Sequence, residues 1–409
     1  MHHSESALRI LQLTNRIPYP FNDGGSIGIH YYIEGYLKAG AELSLLAMNT
    51  TRHWVNPEKL PPLYRQLGHF ETVRVDNRLK PLPALISLIR GGSYHLERFI
   101  SKDYEAALLK MLSAGAYDII HLDGLYLTPY IPLIRRHSGA KVVMRLHNPE
   151  FRIWERLAAQ EKAVLKKWYL GILAKRLKAF ELARMADYDL ILALSEEDAA
   201  FYRHHGCTAP IYIHPFGIDA TRTSSNPRSE IHDPKCYHLG AMDWLPNQES
   251  VDWLLKNVWP LVMLKNPGAR LYLAGRNMPQ KYFEQQTPGV EVVGEVPDAD
   301  AFEADKDILL VPLLSGGGVR IKIYRGMAAG KAVVTTSIGV EGIDARDGKE
   351  VMIADSAADF AARILSLLGH PEEIAALGRS AAALMADRYD APVLMEALMG
   401  RYRALIAGH

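Results

Sequence analysis

DILLVPLLSGGGVRIKIYRGMAAGKAVVTTSIGVEGI, residues 307–343, decides the fold. It opens on an apolar run, 308–314, too short for a membrane span and suited to a parallel strand buried on both faces. Gly316, Gly317 and Gly318 follow. Residues 319–329 then carry helical spacing, with Gly330 where a helix C-cap wants it. A second apolar run, 332–336, reads as the next strand. Strand, glycine turn, helix and strand form a unit that holds an anion on the helix N-terminus. Arg320 and Lys322 fall at that end of the helix, where the macrodipole is positive and a cation costs about 0.3–1 kcal/mol. A bound phosphate compensates that cost; the alternative is two solvated side chains. The ligand this suggests is a nucleoside diphosphate.

The same unit appears near the N-terminus. Residues 8–14 read as a strand, the loop after Pro18 and Pro20 contains Gly24, Gly25 and Gly28, a helix runs to Gly40, and 43–48 reads as a second strand. A lone GGxxG loop is a weak signal; its recurrence in a second α/β half is the sharper one. Strand candidates at 72–76, 117–122, 140–146, 190–194 and 211–214 alternate with helical segments, which implies a parallel sheet covered on both faces. Residues 215–235, rich in Pro, Ser, Thr, Asn and Asp, read as a linker. Alternation then restarts with strands at 236–241, 270–274 and 290–293. Three helical segments follow residue 356. The expected domains are 1–214 and 236–387, with 388–409 packing back on the first.

At 409 residues the chain exceeds the size at which one core keeps growing. Its formal net charge of +1 argues against a general nucleic-acid binder. Cys207 and Cys236 lie outside any zinc spacing and read as two free thiols. The N-terminal MHHSESALRI has no apolar core ahead of the first strand, so the expectation is a cytoplasmic protein. A long basic helix is expected over 151–185, with Lys162, Lys166, Lys167, Lys175, Arg176, Lys178 and Arg184 interleaved with Trp168, Tyr169, Leu173, Leu177 and Phe180. It reads either as a solvated face or as a peripheral membrane contact.

These motifs resemble the GT-B-fold glycosyltransferases, specifically the retaining, nucleotide-sugar-dependent family 4 branch. SGGGVRIKIYRGMAAGKAVVTT, LGAMDWLPNQESVDWL at 239–254, RLHNPEFRIWERL at 145–157 and NDGG at 22–25 stand in the family's order. The resemblance implies an α/β fold of two Rossmann-like parallel-sheet domains facing across a cleft. It implies transfer of a sugar from a UDP-, GDP- or dTDP-linked donor to a hydroxyl acceptor, with retention and without metal or cofactor. Gly24 and Gly25 would admit the donor diphosphate, Arg320 and Lys322 would neutralise it, and Ser315, Gly316, Gly317 and Gly318 would offer it backbone N–H groups. His147 would lie beside the transferred sugar. Asp243, Trp244, Asn247 and Glu341 would border the donor.

Plainer readings stand beside these. His147 could only bond backbone at a strand end, and Asp243 and Asn247 could be helix-entry residues. The sequence Asp187–Tyr188–Asp189 imitates a DxD metal motif but falls at a helix-to-strand junction and reads as structural. One departure matters: Arg325 stands where the branch usually has a glutamate that holds the ribose, and Gly317 stands at an earlier family glutamate. The donor is then held differently, with Arg325 on phosphate or an acidic sugar, or the protein is a weakened or non-catalytic homologue. A sugar-nucleotide epimerase on the same fold is the more distant alternative.

Overall fold

The computed structural model describes residues 7–21, 23–146, 149–219, 231–316 and 318–408, without the side chains of Leu85 and Gln160. His147, Gly317 and most of the expected linker lie outside the described residues. The chain divides into two compact units, Met1–Pro215 with Pro392–His409, and Phe216–Ala391.

The first unit begins β1 (Arg9–Thr14), α1 (Gly24–Lys38), β2 (Glu42–Thr50) and β3 (His69–Val75). Helices α2 (Pro81–Arg90), α3 (Tyr94–Glu97) and α4 (Lys102–Ala114) lead to β4 (Ile119–Asp123), α5 (Ile131–His137) and β5 (Lys141–Arg145). Then come α6 (Glu150–Gln160), α7 (Val164–Ala183), β6 (Leu190–Ala193), α8 (Glu196–His204) and β7 (Ile211–Ile213). All strands pair in parallel in the order β3-β2-β1-β4-β5-β6-β7. Every residue of β4 and β6 is buried, the consequence of helices on both faces. The order reverses between β1 and β4, and open α/β sheets bind ligands at such a switch point, at the strands' C-terminal ends.

The second unit repeats the plan. Its strands are β8 (Cys236–Leu239), β9 (Leu271–Ala274), β10 (Val290–Gly294), β11 (Ile308–Val311), β12 (Ala332–Thr335) and β13 (Met352–Ile353). They pair in parallel in the order β10-β9-β8-β11-β12-β13, reversing between β8 and β11. Its helices are α9 (Leu245–Trp253), continued by a π-turn into α10 (Trp259–Lys265), then α11 (Gln280–Glu284) and α12 (Ala299–Glu303). Helices α13 (Ile321–Ala328), α14 (Ser337–Val340), α15 (Ala357–Gly369) and α16 (Pro371–Arg388) follow.

Helix α13 is seated closely on its sheet. A Cβ at Gly326 would stand 2.6 Å from the end of the Leu309 side chain on β11, so a larger residue there would force that side chain to shift. The helix ends in a paired-carbonyl cap: Gly330, at φ +68°, donates to Met327 O at 3.0 Å and Lys331 donates to Gly326 O at 2.9 Å. The last helix, α17 (Ala391–Ala407), lies in the first unit from Pro392 onward. Its Tyr402 hydroxyl meets that of Tyr36 on α1 at 2.8 Å, and Met395 fills the space left by Gly35.

The expected helix over 151–185 is corrected to two helices, α6 and α7. Glu161 breaks it by accepting from the backbone N–H of Lys162 and Ala163, both at 3.0 Å. A side chain that takes these amides competes with the helical ladder, so the chain turns. Helices α2 and α3 and strand β13 have no counterpart in the sequence reading; α3 is four residues long and β13 two, too short for a periodic signal.

Candidate functional site

In the second unit the loops that leave β8 and β11 meet at the switch point. Beyond β8, a side chain at Gly275 would overlap the carbonyl oxygen of Gly240, so the β8 and β9 loops run in contact. The β8 loop enters α9 under side-chain control. Asn247, almost fully buried, donates from Nδ2 to Ala241 O at 2.7 Å, and Gln248 donates to Met242 O at 2.5 Å. This fixes Asn247 Oδ1 toward α13, where it accepts from Lys322 Nζ at 2.8 Å. The two residues are 75 positions apart in the chain.

The Lys322 ammonium is embedded although the whole side chain is only half-buried. A Cβ on Gly240 would lie 2.7 Å from Nζ. Burial, and then the neighbouring Arg320 charge, push the amine down to about 7. His238 is fully buried on β8 and held through Nδ1 to Leu310 O at 2.8 Å. Burial and the Lys322 charge push this imidazole down to about 3, so it stays neutral.

Arg320 stands at the N-cap of α13, where no side chain caps the helix. Its buried guanidinium donates to Ile338 O at 3.3 Å and stands 3.8 Å from the Glu341 carboxylate. The glycine loop is pinned from the other side. Ser315 Oγ donates to Glu249 at 2.6 Å, and Trp244 covers Gly316, whose added Cβ would stand 2.9 Å from the indole. Gly316 and Gly318 sit at φ +105° and +82°, which only glycine adopts readily. The N-terminus of α13, without a side-chain cap and flanked by a lysine and an arginine, sets up a local field that favours an anion.

Of the residues singled out in the sequence, Lys322, Asn247, Arg320, Ser315, Gly316 and Glu341 are drawn into this region. Asp243 is instead paired with Arg276 at 2.8 Å. Arg325 projects elsewhere and is ion-paired with Asp300 of α12. The nearby buried Glu303 carboxyl is pushed up to about 6 by burial, with Arg325 opposing. Sequence reasoning missed Glu249, His238 and Asp300, which only the strand order brings close.

At the N-terminus of α1 the amides of Gly25 and Ser26 donate to Asp23 Oδ1 at 2.9 and 3.0 Å, and Asp23 is paired with Arg16. The protein's own carboxylate therefore caps this helix. Deeper in the first unit, at its own switch point, Arg145 donates to Asp123 at 2.8 Å and Gln12 donates to Asp123 at 3.1 Å. All three are buried, and Gly28 leaves room for the guanidinium. Asp189, of the DxD look-alike, accepts from Val142 N at 2.7 Å and pairs with Arg135 at 2.8 Å.

Comparison with known proteins agrees with this architecture. Residues 23–222 match the family model described as Glycosyltransferase Family 4, and residues 233–370 match that of Glycosyl transferases group 1. A Klebsiella pneumoniae relative, described as an uncharacterized 44.6 kDa protein in the cps region, is 23% identical over 93% of this chain and 96% of its own. Sucrose-phosphate synthase from Thermosynechococcus elongatus superposes with a TM-score of 0.71 at 15% identity, over 98% of this chain and all of the other. Anabaena HepE, solved in complex with UDP, gives 0.66 at 15% identity over 97% and 100%. The Escherichia coli structure bound with UDP-2-fluoro glucose gives 0.61 at 15% identity over 96% and 98%. Two parallel Rossmann-like sheets with these neighbours define a GT-B glycosyltransferase fold. The chain belongs to the group 1, family 4 glycosyltransferases.

Proposed function

We propose that the protein transfers a sugar from a nucleoside-diphosphate donor, UDP-linked first among the candidates, to a hydroxyl of a glycan, a lipid-linked glycan or a small molecule. The observation that carries this is the Lys322–Asn247 pair beside Arg320 at the uncapped N-terminus of α13. These groups stabilise the charge that develops on the leaving diphosphate, which lets the step run without a metal. The C1–phosphate bond breaks as the acceptor oxygen bonds C1 from the same face, and the departing phosphate oxygen takes the acceptor proton. Configuration at C1 is thereby retained. His147 is assigned to the transferred sugar, Glu341, Asp243 and the residues 315–318 to the donor, and Gly24 and Gly25 to its diphosphate. The capping of α1 by Asp23 means that a diphosphate there displaces a carboxylate. Peripheral membrane contact through 151–185 belongs to the same reading.

A panel of UDP-, GDP- and dTDP-sugars tests this by thermal shift and by transfer to mixed glycan acceptors. A UDP-sugar should stabilise the protein, and Lys322→Ala should abolish the shift. No stabilisation by any member of the panel would sink the proposal. One observation favours a second reading, a weakened or non-catalytic homologue: Arg325 is held by Asp300, where the family has a ribose-binding glutamate. Donor binding without turnover on any acceptor would favour it.

A further inference from the structure

Helix α2 is apolar on its outward side as well as on the side that meets α7, unlike a helix that serves only its own domain. Leu82, Ile86 and Ile89 recur at i, i+4 and i+7 and share one stripe. That stripe faces outward: Leu82 is 67% exposed, Ile86 40% and Ile89 77%. The inward side carries Ala84, Leu88 and the buried Ser87, whose hydroxyl donates to Glu97 at 3.0 Å. The helix is not loosely attached. Arg176 of α7 donates to the carbonyls of Leu88 at 2.9 Å, Gly92 at 3.1 Å and Ser87 at 3.4 Å, which fixes the stripe away from the core. Tyr169, Ile172 and Leu173 of α7 line a small cavity together with Ala84 and Leu88 of α2.

The first turns of α7 repeat the pattern, with Val164 80%, Leu165 83% and Trp168 60% exposed. Scattered exposed apolar residues need no explanation, but clusters on two packed helices do. Charge points to what covers them. Residues 76–98 and 150–184 together hold thirteen Lys or Arg against six Asp or Glu, a net of +7 in a chain whose total is +1. A second copy of this chain on the same face would bring like charges together.

We propose that α2 and the first turns of α7 dock the protein on an anionic lipid surface, with the aliphatic stripe and Trp168 in the headgroup region and the basic side chains on its phosphates. This rests on the glycosyltransferase reading and narrows its acceptor to a lipid-linked one. Phosphatidylcholine vesicles with and without phosphatidylglycerol, floated with the full protein at low and high salt, test it. Binding should be at least about tenfold stronger with phosphatidylglycerol and fall with salt. Leu82→Ser/Ile89→Ser should weaken it about tenfold or more, and Lys166→Glu/Lys167→Glu should remove the preference for phosphatidylglycerol. Both variants should keep the wild-type melting temperature and UDP-sugar shift. Absence of flotation with either vesicle overturns the proposal. So does a wild-type dimer, seen by light scattering, that Leu82→Ser/Ile89→Ser dissolves. Failed flotation with an intact UDP-sugar shift rejects only the docking surface, whereas loss of the shift rejects the donor reading.

Discussion

Lys322 carries its charge against its surroundings. Its amine is held down to about 7 by burial and then by Arg320, while His238 beside it stays neutral. The unfolded lysine titrates near 10.5, so between those values the unfolded chain holds the extra proton and stability rises with pH. Below 7 the folded protein bears the full cost of the buried cation. Lys322→Met should therefore raise the melting temperature more at pH 6 than at pH 9, while abolishing UDP-sugar binding. A bound diphosphate favours the charged amine, so wild-type affinity for UDP-glucose should fall about tenfold from pH 6 to pH 8 by calorimetry. Arg325 poses a separate test. Arg325→Glu sets a third carboxylate beside Asp300 and Glu303, at a cost of about 1 kcal/mol and so about 2–4 °C in melting temperature. Asp300→Lys/Arg325→Glu should recover that loss in the same thermal scan.

At the scale of elements, α7 is fastened to α8 by a buried acid. Glu181 of α7 accepts from the Tyr202 hydroxyl, and burial pushes its carboxyl up to about 7. The ordinary value is 4.5, so between 4.5 and 7 the folded state holds the extra proton and stability declines as pH rises. Above 7 an ionised, buried carboxylate remains. Glu181→Gln keeps a partner for Tyr202 and removes that charge. It should stabilise the protein at pH 8 and change little at pH 5, read by denaturant melts at both values. The turn between α6 and α7 explains why the sequence suggested one helix: helical spacing continues through 161–163, and only the local hydrogen bonds of Glu161 end it.

On the scale of the whole molecule, both units are doubly wound with one reversal of strand order, and each places polar side chains at that reversal. The C-terminal helix α17 completes the first unit after the chain has built the second. Met395, Leu398, Met399 and Tyr402 are buried there, and the Tyr402–Tyr36 bond continues to His121 at 2.6 Å. Ending the chain after Ala391 uncovers these groups, and each buried side chain lost is worth about 1.5–3 kcal/mol. The truncated protein should lose the transition of the first unit in a calorimetric scan and keep that of the second. Two intact transitions would refute this account of α17.

Alternation of apolar runs and glycine turns was enough to place twelve of the thirteen strands found among the described residues, because burial and tight turns are written locally in residue type and spacing. The glycine loop at 315–318, the helix after it and the pairing of cations at its start were legible for the same reason. What those cations touch was not. Lys322 on Asn247, Arg325 on Asp300 and Arg145 on Asp123 join positions 75, 25 and 22 residues apart. Such contacts follow from which strands lie side by side, and local periodicity says nothing of strand order. The outward stripe of α2 was hidden likewise: a pattern of apolar residues specifies a face, and only packing decides whether that face meets the core or the surroundings.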